Sequence, residues 1–146
     1  MSFEPSPTSL CSKMVADALK ADEALRRAGV AVVERDRGDF LSEIEAALAE
    51  ADGPVALVCA DGAENNRPGV SVDHSVLVAE KAGVNRAREG ATTALEAAWL
   101  VVAALDGRVH HFIDLRHDWF PEDGVLQATV RFRTHFITTD TEPERN

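Results

Sequence analysis

Three histidines near the C-terminal end of the chain are the residues whose types first suggest chemistry. His110, His111 and His117 lie in one segment together with Asp114 and Asp118. A zinc ion requires three or four ligands that converge to within about 2.3 Å of it. In a strand, His111 and His117 point to the same face but lie roughly 20 Å apart, at about 3.3 Å per residue. His110 and His111 point to opposite faces, so this spacing argues against a metal site.

Nucleophilic and acid–base sites find little support in the other residues. Paired carboxylates such as Glu43 and Glu45 are two positions apart on a predicted helix and do not face a common substrate. The chain has no Gly-x-Ser-x-Gly motif, and Cys11 and Cys59 match no metal or redox spacing. We therefore expect no catalytic residue, no metal and no cofactor, and two cysteines that are buried and reduced.

Four arginines are the positively charged residues most suited to a binding surface. Arg131 and Arg133 share one face of a predicted strand, while Arg86 and Arg88 lie in a polar segment with Asn85 and Glu89. In a chain of net charge −10, two alternatives exist for them. They pair with the abundant acids as solvated surface groups, or they receive the acidic surface of another subunit. We predict that Asn85–Glu89 faces a partner, because no core would accept it.

The overall charge excludes some classes of function. Twenty-five acidic and fifteen basic residues give an isoelectric point near 4.9. Such a field repels nucleic acid and anionic membranes, although it suits a protein that DNA merely passes. No apolar stretch approaches the roughly 20 residues of a membrane span, and the first residues lack the pattern of a secretion signal. We expect a protein that stays in the cytosol of the cell that makes it.

Hydrophobic periodicity predicts three helices. The first runs from near Ser9 to Gly29, the second from the N-cap Asp39 to Ala51, and the third from about Gly90 to Leu105. The third is the candidate for a buried central helix, with Trp99 as its large buried anchor. Its predicted buried face consists of residues at three-and-four spacing, namely Ala91, Ala94, Leu95, Ala98, Trp99, Val102 and Leu105.

Runs of alternating or continuous apolar residues predict the strands at 30–33, 54–60, 70–80, 110–117 and 126–136. Residues 61–69 are predicted to be an exposed loop, and Trp119–Gly124 a turn. The order of elements indicates an α+β fold, a mixed or antiparallel sheet of about four to five strands packed with two to three helices. We expect a flexible arm at 1–9, one domain at 10–138 and a flexible tail at 139–146.

Several of these features occur together in an order that is known from one family. A helix over Asp39–Ala51 leads into Gly-Pro-Val-Ala-Leu-Val, and a strand over Ser71–Glu80 follows. Asn85-Arg-Ala-Arg-Glu-Gly-Ala precedes an alanine-rich helix, and Phe-Arg-Thr-His-Phe-Ile-Thr forms the last strand. Over residues 35–138 the chain resembles the tail terminator, or tail completion, proteins of long-tailed bacteriophages and phage-like particles.

The resemblance implies a structural virion protein without enzymatic activity. Such subunits close into a homohexameric ring on the tail-tube protein, stop tube polymerisation and join the tube to the head–tail connector or stopper protein. DNA passes through the lumen without sequence-specific binding, and no membrane is involved. The protein would be assembled in the host cytoplasm and reside at the head–tail junction. The resemblance also implies contact roles for residues 61–69 and 81–89, which adds Glu64, Asn65 and Arg67 to the predicted interface.

Three alternatives remain open at this point. The nearest is a head–tail stopper or another neck protein. A second, from a different class, is a small cytosolic enzyme that uses the region His110–His117. A third is a generic adaptor domain. A tail terminator is distinguished from the others by its assembly into a ring and by its effect on tube length.

Overall fold

A mixed five-stranded sheet forms the centre of the computed structural model, which describes residues 6–34, 46–51, 53–81, 93–107, 109–120 and 124–137. The sheet and the helices confirm the predicted α+β fold. The strands are β1 (Ala31–Glu34), β2 (Val55–Asn66), β3 (Gly69–Lys81), β4 (His110–Phe120) and β5 (Val125–Ile137). The helices are α1 (Pro7–Ala21), α2 (Glu23–Arg27) and α3 (Ala94–Leu105), and residues 46–50 are also helical.

The strands follow the spatial order β1-β2-β3-β5-β4, so β1 and β4 form the two edges of the sheet within the described part of the chain. β1 pairs with β2 in parallel, whereas the other three pairs are antiparallel. β3 and β4 run in the same direction with β5 between them, and α3 connects them. A doubly wound parallel sheet is thereby excluded.

The first predicted helix is interrupted. Asp22 ends α1 and caps α2, because its extended backbone leaves the helix and its Oδ2 accepts a hydrogen bond from the Leu25 amide at 3.1 Å. Ser6 caps α1, whose first residue, Pro7, lies two residues before the predicted start at Ser9. Gly29 follows α2 at a φ of 76°, the left-handed conformation expected where a helix stops.

Two apolar clusters cover the sheet on opposite faces. The larger lies between the sheet and the helices α1 and α3, and we call this the inner face. The smaller lies on the outer face, where Leu48 packs with Val55, Leu57 and Leu77. Residues 55–58 are buried on both sides, so this part of β2 is covered on both faces of the sheet. Residues 39–45 of the predicted second helix lie outside the described residues.

Two segments predicted as a loop and a turn belong largely to strands. β2 continues through Gly62 to Asn66, so only the Arg67–Pro68 turn, with a cis peptide bond, separates it from β3. The exposure predicted for residues 61–69 is confirmed at 61–68 and is wrong at Gly69, which is buried. β4 likewise extends through Trp119 and Phe120. In β2, pairing with the neighbouring strand gives polar, turn-forming sequence an extended conformation that its composition does not indicate.

The prediction that Trp99 is a buried anchor is wrong. Its side chain is 52% exposed, and α3 instead turns its small residues toward the sheet. Because α3 is apolar all round, periodicity alone cannot fix which face is buried. The described buried residues of α3 are Ala94, Ala97, Ala98, Val101 and Leu105.

Glu80 is a buried acid that fastens the start of α3 to the sheet. Only 4% of Glu80 is exposed, and its Oε1 accepts a hydrogen bond from the Ala94 amide at 2.6 Å. The Thr93 hydroxyl caps the same helix at the surface by accepting from the Glu96 amide at 3.2 Å. Helix N-termini favour negative charge, so the carboxylate suits this position.

We expect Glu80→Ala to lower the free energy of unfolding by about 2 kcal/mol, because a buried amide loses its charged acceptor. Glu80→Gln keeps an acceptor and should cost less. Urea denaturation followed by circular dichroism measures both, and Thr93→Ala is the matched control, with an expected loss of about 1 kcal/mol for a solvent-exposed cap. Equal stability of Glu80→Ala and the unmodified chain would contradict this role.

Candidate functional site

Arginine–aspartate pairs occupy the exposed part of the outer face. Arg131 of β5 donates to both carboxylate oxygens of Asp114 on β4, at 2.8 and 2.6 Å. Arg133 donates to both oxygens of Asp73 on β3, at 2.7 and 3.1 Å, and lies 3.6 Å from a Glu64 oxygen. The strand alternation that places Phe132 in the core places these two arginines outside. They therefore bridge three neighbouring strands across the sheet.

The pairing shifts the proton equilibria of all four groups. Hydrogen bonds from Arg131 and from Arg133 hold the pKa of Asp114 and of Asp73, respectively, below the usual value for an aspartate. The pKa values of the two arginines are raised by the same hydrogen bonds. Of the two alternatives drawn from the sequence, intramolecular pairing is present. A further role of Arg131 and Arg133 at a subunit interface remains a prediction.

Replacing Arg131 with glutamine should raise the pKa of Asp114 toward the ordinary aspartate value, since the hydrogen bonds that lower it are lost. The pKa of Asp114 is lower in the folded than in the unfolded state. The Arg131–Asp114 pair therefore stabilises the protein fully at pH values above the unfolded-state pKa, and this stabilisation is lost as the pH falls through the folded-state pKa. NMR titration of the Asp114 carboxyl measures the change. Arg116→Gln is the control and should raise this pKa less, since Arg116 is the weakest of its described influences. An unchanged Asp114 pKa in Arg131→Gln would contradict the assignment.

The other predicted interface residues fall in two places. Glu64, Asn65 and Arg67 are exposed at the tip of the β2–β3 hairpin, where a partner could reach them. Asn85, Arg86, Arg88 and Glu89 lie outside the described residues, and so does most of the predicted 81–89 contact segment.

A cleft of about 370 Å³ opens on the outer face between two β-bulges. The bulges interrupt β2 between Ala60 and Gly62 and β4 between Phe112 and Asp114. Asp61 accepts a hydrogen bond from the Ser75 hydroxyl at the cleft. The lining contains two carboxylates and two guanidinium groups, so their charges cancel. A site that selects an anion or a cation would instead be lined by an excess of the opposite charge. The cleft is lined by Asp61, Gly62, Asp73, His74, Ile113, Arg131, Phe132 and Arg133.

A cluster of polar side chains lies in the otherwise apolar inner core. Cys11 of α1, His74 of β3, His110 of β4 and Thr134 of β5 are at most 7% exposed. Thr134 Oγ1 lies 2.9 Å from His74 Nε2 and 2.6 Å from His110 Nδ1. Four elements of the fold thus meet at one hydroxyl, which we call the Thr134 cluster.

Burial keeps the titratable members of the Thr134 cluster uncharged. It raises the pKa of the Cys11 thiol to about 11, and a hydrogen bond with Thr134 offsets part of the rise. Burial, together with repulsion from His110, lowers the pKa of His74 to about 4. The pKa of His110 is lowered by burial and by repulsion from His111. At neutral pH the cluster therefore contains a thiol and two neutral imidazoles.

The predicted histidine group is divided by the fold. His110 joins the Thr134 cluster, whereas His111 and His117 are exposed on β4. Sequence reasoning missed Cys11, His74 and Thr134 as neighbours of His110. The sequence did contain an indication of this cluster. His74 in β3 and Thr134 in β5 are polar residues at positions where the alternation of each strand places apolar, core-facing residues. Polar residues at such positions require a buried partner.

Large apolar side chains are exposed along the β4 edge of the sheet. Val109 and Ile113 are 47% and 45% exposed, and Trp99 packs on Phe112 with ring centroids 6.1 Å apart. We call Trp99, Val109 and Ile113 the β4-edge surface. Val109 and Ile113 lie at the edge strand and Trp99 on α3 beside it, and exposed apolar residues near a sheet edge are typical of a contact surface.

Comparisons with known proteins leave the function undecided. No family model and no curated protein matches the chain. Among solved structures, a chain of the virion of the native gene transfer agent particle is similar, with a TM-score of 0.49 and 18% sequence identity over 83% of this chain and 90% of that chain. A likeness of this size carries no inference about activity. None of the described helices is long and apolar enough to span a membrane.

Proposed function

We propose that this chain is a structural virion protein, a tail terminator that closes into a ring on the end of a tail tube. The ring stops tube polymerisation and joins the tube to the head connector. The proposal rests on the resemblance of residues 35–138 to that family and on one feature of the fold, the β4-edge surface. A head–tail stopper would use similar surfaces and differs in the partner that it binds.

The β4-edge surface supports the proposal because its place in the sheet suits a ring. The opposite edge, β1, is a short parallel strand of four residues with different side chains. A subunit with two unlike edges can bind the next copy through two different surfaces. Such heterologous contacts form a closed ring when the rotation from one subunit to the next is a whole fraction of a full turn. We propose that the β4-edge surface of one subunit packs on a different surface of its neighbour.

The charge of the chain is compatible with DNA passage. The formal net charge is −10, and the two outer-face arginines are already neutralised by Asp114 and Asp73. A ring with an acidic surface would repel the phosphate backbone and would not retain the DNA that moves through it.

Ring formation and tube capping can be tested separately. Negative-stain images of the purified protein should contain closed rings, alone or on tube ends. Added to polymerising tail-tube protein, the chain should stop elongation at a length set by its concentration, and particles made without its gene should carry overlong tubes. Tubes of normal length in particles that lack the gene would contradict the terminator proposal. Binding to the connector but not to the tube would favour a stopper.

A further inference from the structure

The Thr134 cluster has the composition of a transition-metal site. One donor atom each from Cys11, His74 and His110 is available, and these three atoms all lie within 4.8 Å of one another. The residues come from α1, β3 and β4, and the first two belong to opposite layers of the core. Burial of three such side chains at one point is unusual, because polar groups in a core cost free energy unless they are satisfied.

Hydrogen bonding leaves one atom of the cluster without a partner. His74 Nε2 contacts the Thr134 hydroxyl, whereas His74 Nδ1 is buried and has no hydrogen-bond partner among the described residues. His74 is 1% exposed, so bulk water does not compensate. If Nε2 carries the proton and donates to Thr134, Nδ1 presents a lone pair to the core. Histidines that bind metals are commonly oriented in this way, with the second ring nitrogen bound to another group.

We propose that Cys11, His74 and His110 bind one Zn²⁺ ion and so fasten α1 to the sheet. A thiolate and two neutral imidazoles are ligands that zinc prefers, and a fourth position would be left for water. In a tetrahedral zinc site the ligand atoms lie about 3.3–3.8 Å apart, so the three donors would need to approach each other by about 1 Å. Binding replaces the Cys11 S–H bond with a Zn–S bond and releases one proton to solvent.

The three proposed ligands are so far apart in the sequence that they form no recognisable zinc-binding motif. Known zinc motifs place ligands in pairs a few residues apart, whereas these residues are distant in sequence and meet only through the sheet. This inference does not rest on the proposed function, because the ligands belong to the core of the subunit and not to its exposed edges.

The test uses the full chain and Co²⁺ as a coloured substitute for zinc. Cys59→Ser leaves Cys11 as the sole cysteine. We expect this variant to take up one equivalent of Co²⁺, during refolding if necessary, with a thiolate-to-metal charge-transfer band in the near ultraviolet. Cys11→Ser and His74→Asn should lose the band, and His117→Asn should keep it. Zinc at about 100 times its Kd should raise the Tm by about 8 °C in the unmodified chain.

The spectra of these variants distinguish a zinc site at Cys11, His74 and His110 from adventitious metal binding. Absence of the band from folded Cys59→Ser, even after refolding with Co²⁺, would overturn the proposal, and so would a band that persists in Cys11→Ser. Metal uptake without a thiolate band would identify adventitious binding at exposed histidines such as His111 and His117, which also rejects the site. If Cys11→Ser does not fold, the band and the stoichiometry of Cys59→Ser decide alone.

Discussion

Replacing Trp99 with aspartate should weaken self-association of the chain by roughly 30- to 1,000-fold while leaving the subunit folded. About half of the Trp99 side chain is exposed, so the substitution removes little buried core, although it gives up packing on Phe112. At an interface, by contrast, a buried tryptophan commonly contributes about 2–4 kcal/mol, and each 1.4 kcal/mol is tenfold in affinity. An uncompensated carboxylate in the contact adds a desolvation cost. Sedimentation equilibrium over a range of concentrations measures the change.

Ile137→Asp is the matched control for this substitution. Ile137 is 66% exposed, but it lies at the end of β5 beside the β2–β3 turn and outside the β4-edge surface. Because Ile137 lies near the predicted contact at the hairpin tip, Ile137→Asp should weaken assembly less than Trp99→Asp if the β4-edge surface carries the main contact. Thermal unfolding of each variant tests that the subunit remains folded, and Trp99→Gln repeats the test without a charge. Trp99→Asp that still forms rings on tubes would remove the β4-edge surface from the contact.

Strand β5 was predictable because its two faces differ in chemistry over most of its length. Ala128, Val130 and Phe132 are fully buried, while Arg131 is exposed, as strict alternation requires. β3 was located equally well, although it is buried over most of its length on both faces. Where burial itself alternates, a single sequence is enough to fix both the strand and its orientation.

The wrong predictions, for residues 62–66 and for Trp99, concern places where the local sequence pattern carries no information on tertiary contacts. Residues from Gly62 to Asn66 resemble a loop because they are polar, yet pairing with β3 extends them. Trp99 was assigned to the buried face of α3 because an apolar helix has no contrast between its faces, and tryptophan contributes the largest apolar area. The sheet accepts Ala97, Ala98 and Val101 instead, since small side chains allow the helix backbone to approach closely.

The candidate sites were harder to predict than the fold. The outer-face position of Arg131 and Arg133 followed from alternation, but their bidentate partners depended on the strand order. The Thr134 cluster depends on four elements, so spacing along the chain could not indicate it. What the sequence did contain was a pair of polar residues, His74 and Thr134, at core-facing positions, each of which required an explanation.

Substituting alanine for Gly69 should destabilise the protein by about 3 kcal/mol, because the β3–β5 pair leaves no room for a side chain there. A Cβ at this position would lie 1.7 Å from the Phe136 carbonyl oxygen and 2.9 Å from the Ile137 Cα. These are backbone atoms of the paired strand, so no side-chain rotation relieves the overlap and the strands must separate. The expected loss is at the upper end of the roughly 1–3 kcal/mol that overpacking costs.

Gly62→Ala is the control, since a Cβ at Gly62 meets nothing within 4 Å. Both substitutions add one methyl group to the same hairpin, so a difference between them reports the close approach at Gly69 and not the general cost of replacing glycine. Chemical denaturation gives the two free energies. Hydrogen exchange should show faster opening of Val70 and Phe136 in Gly69→Ala, because separation of the strands begins where their backbones are forced apart. Equal stabilities of the two variants would mean that the strands accommodate a methyl group here without separating.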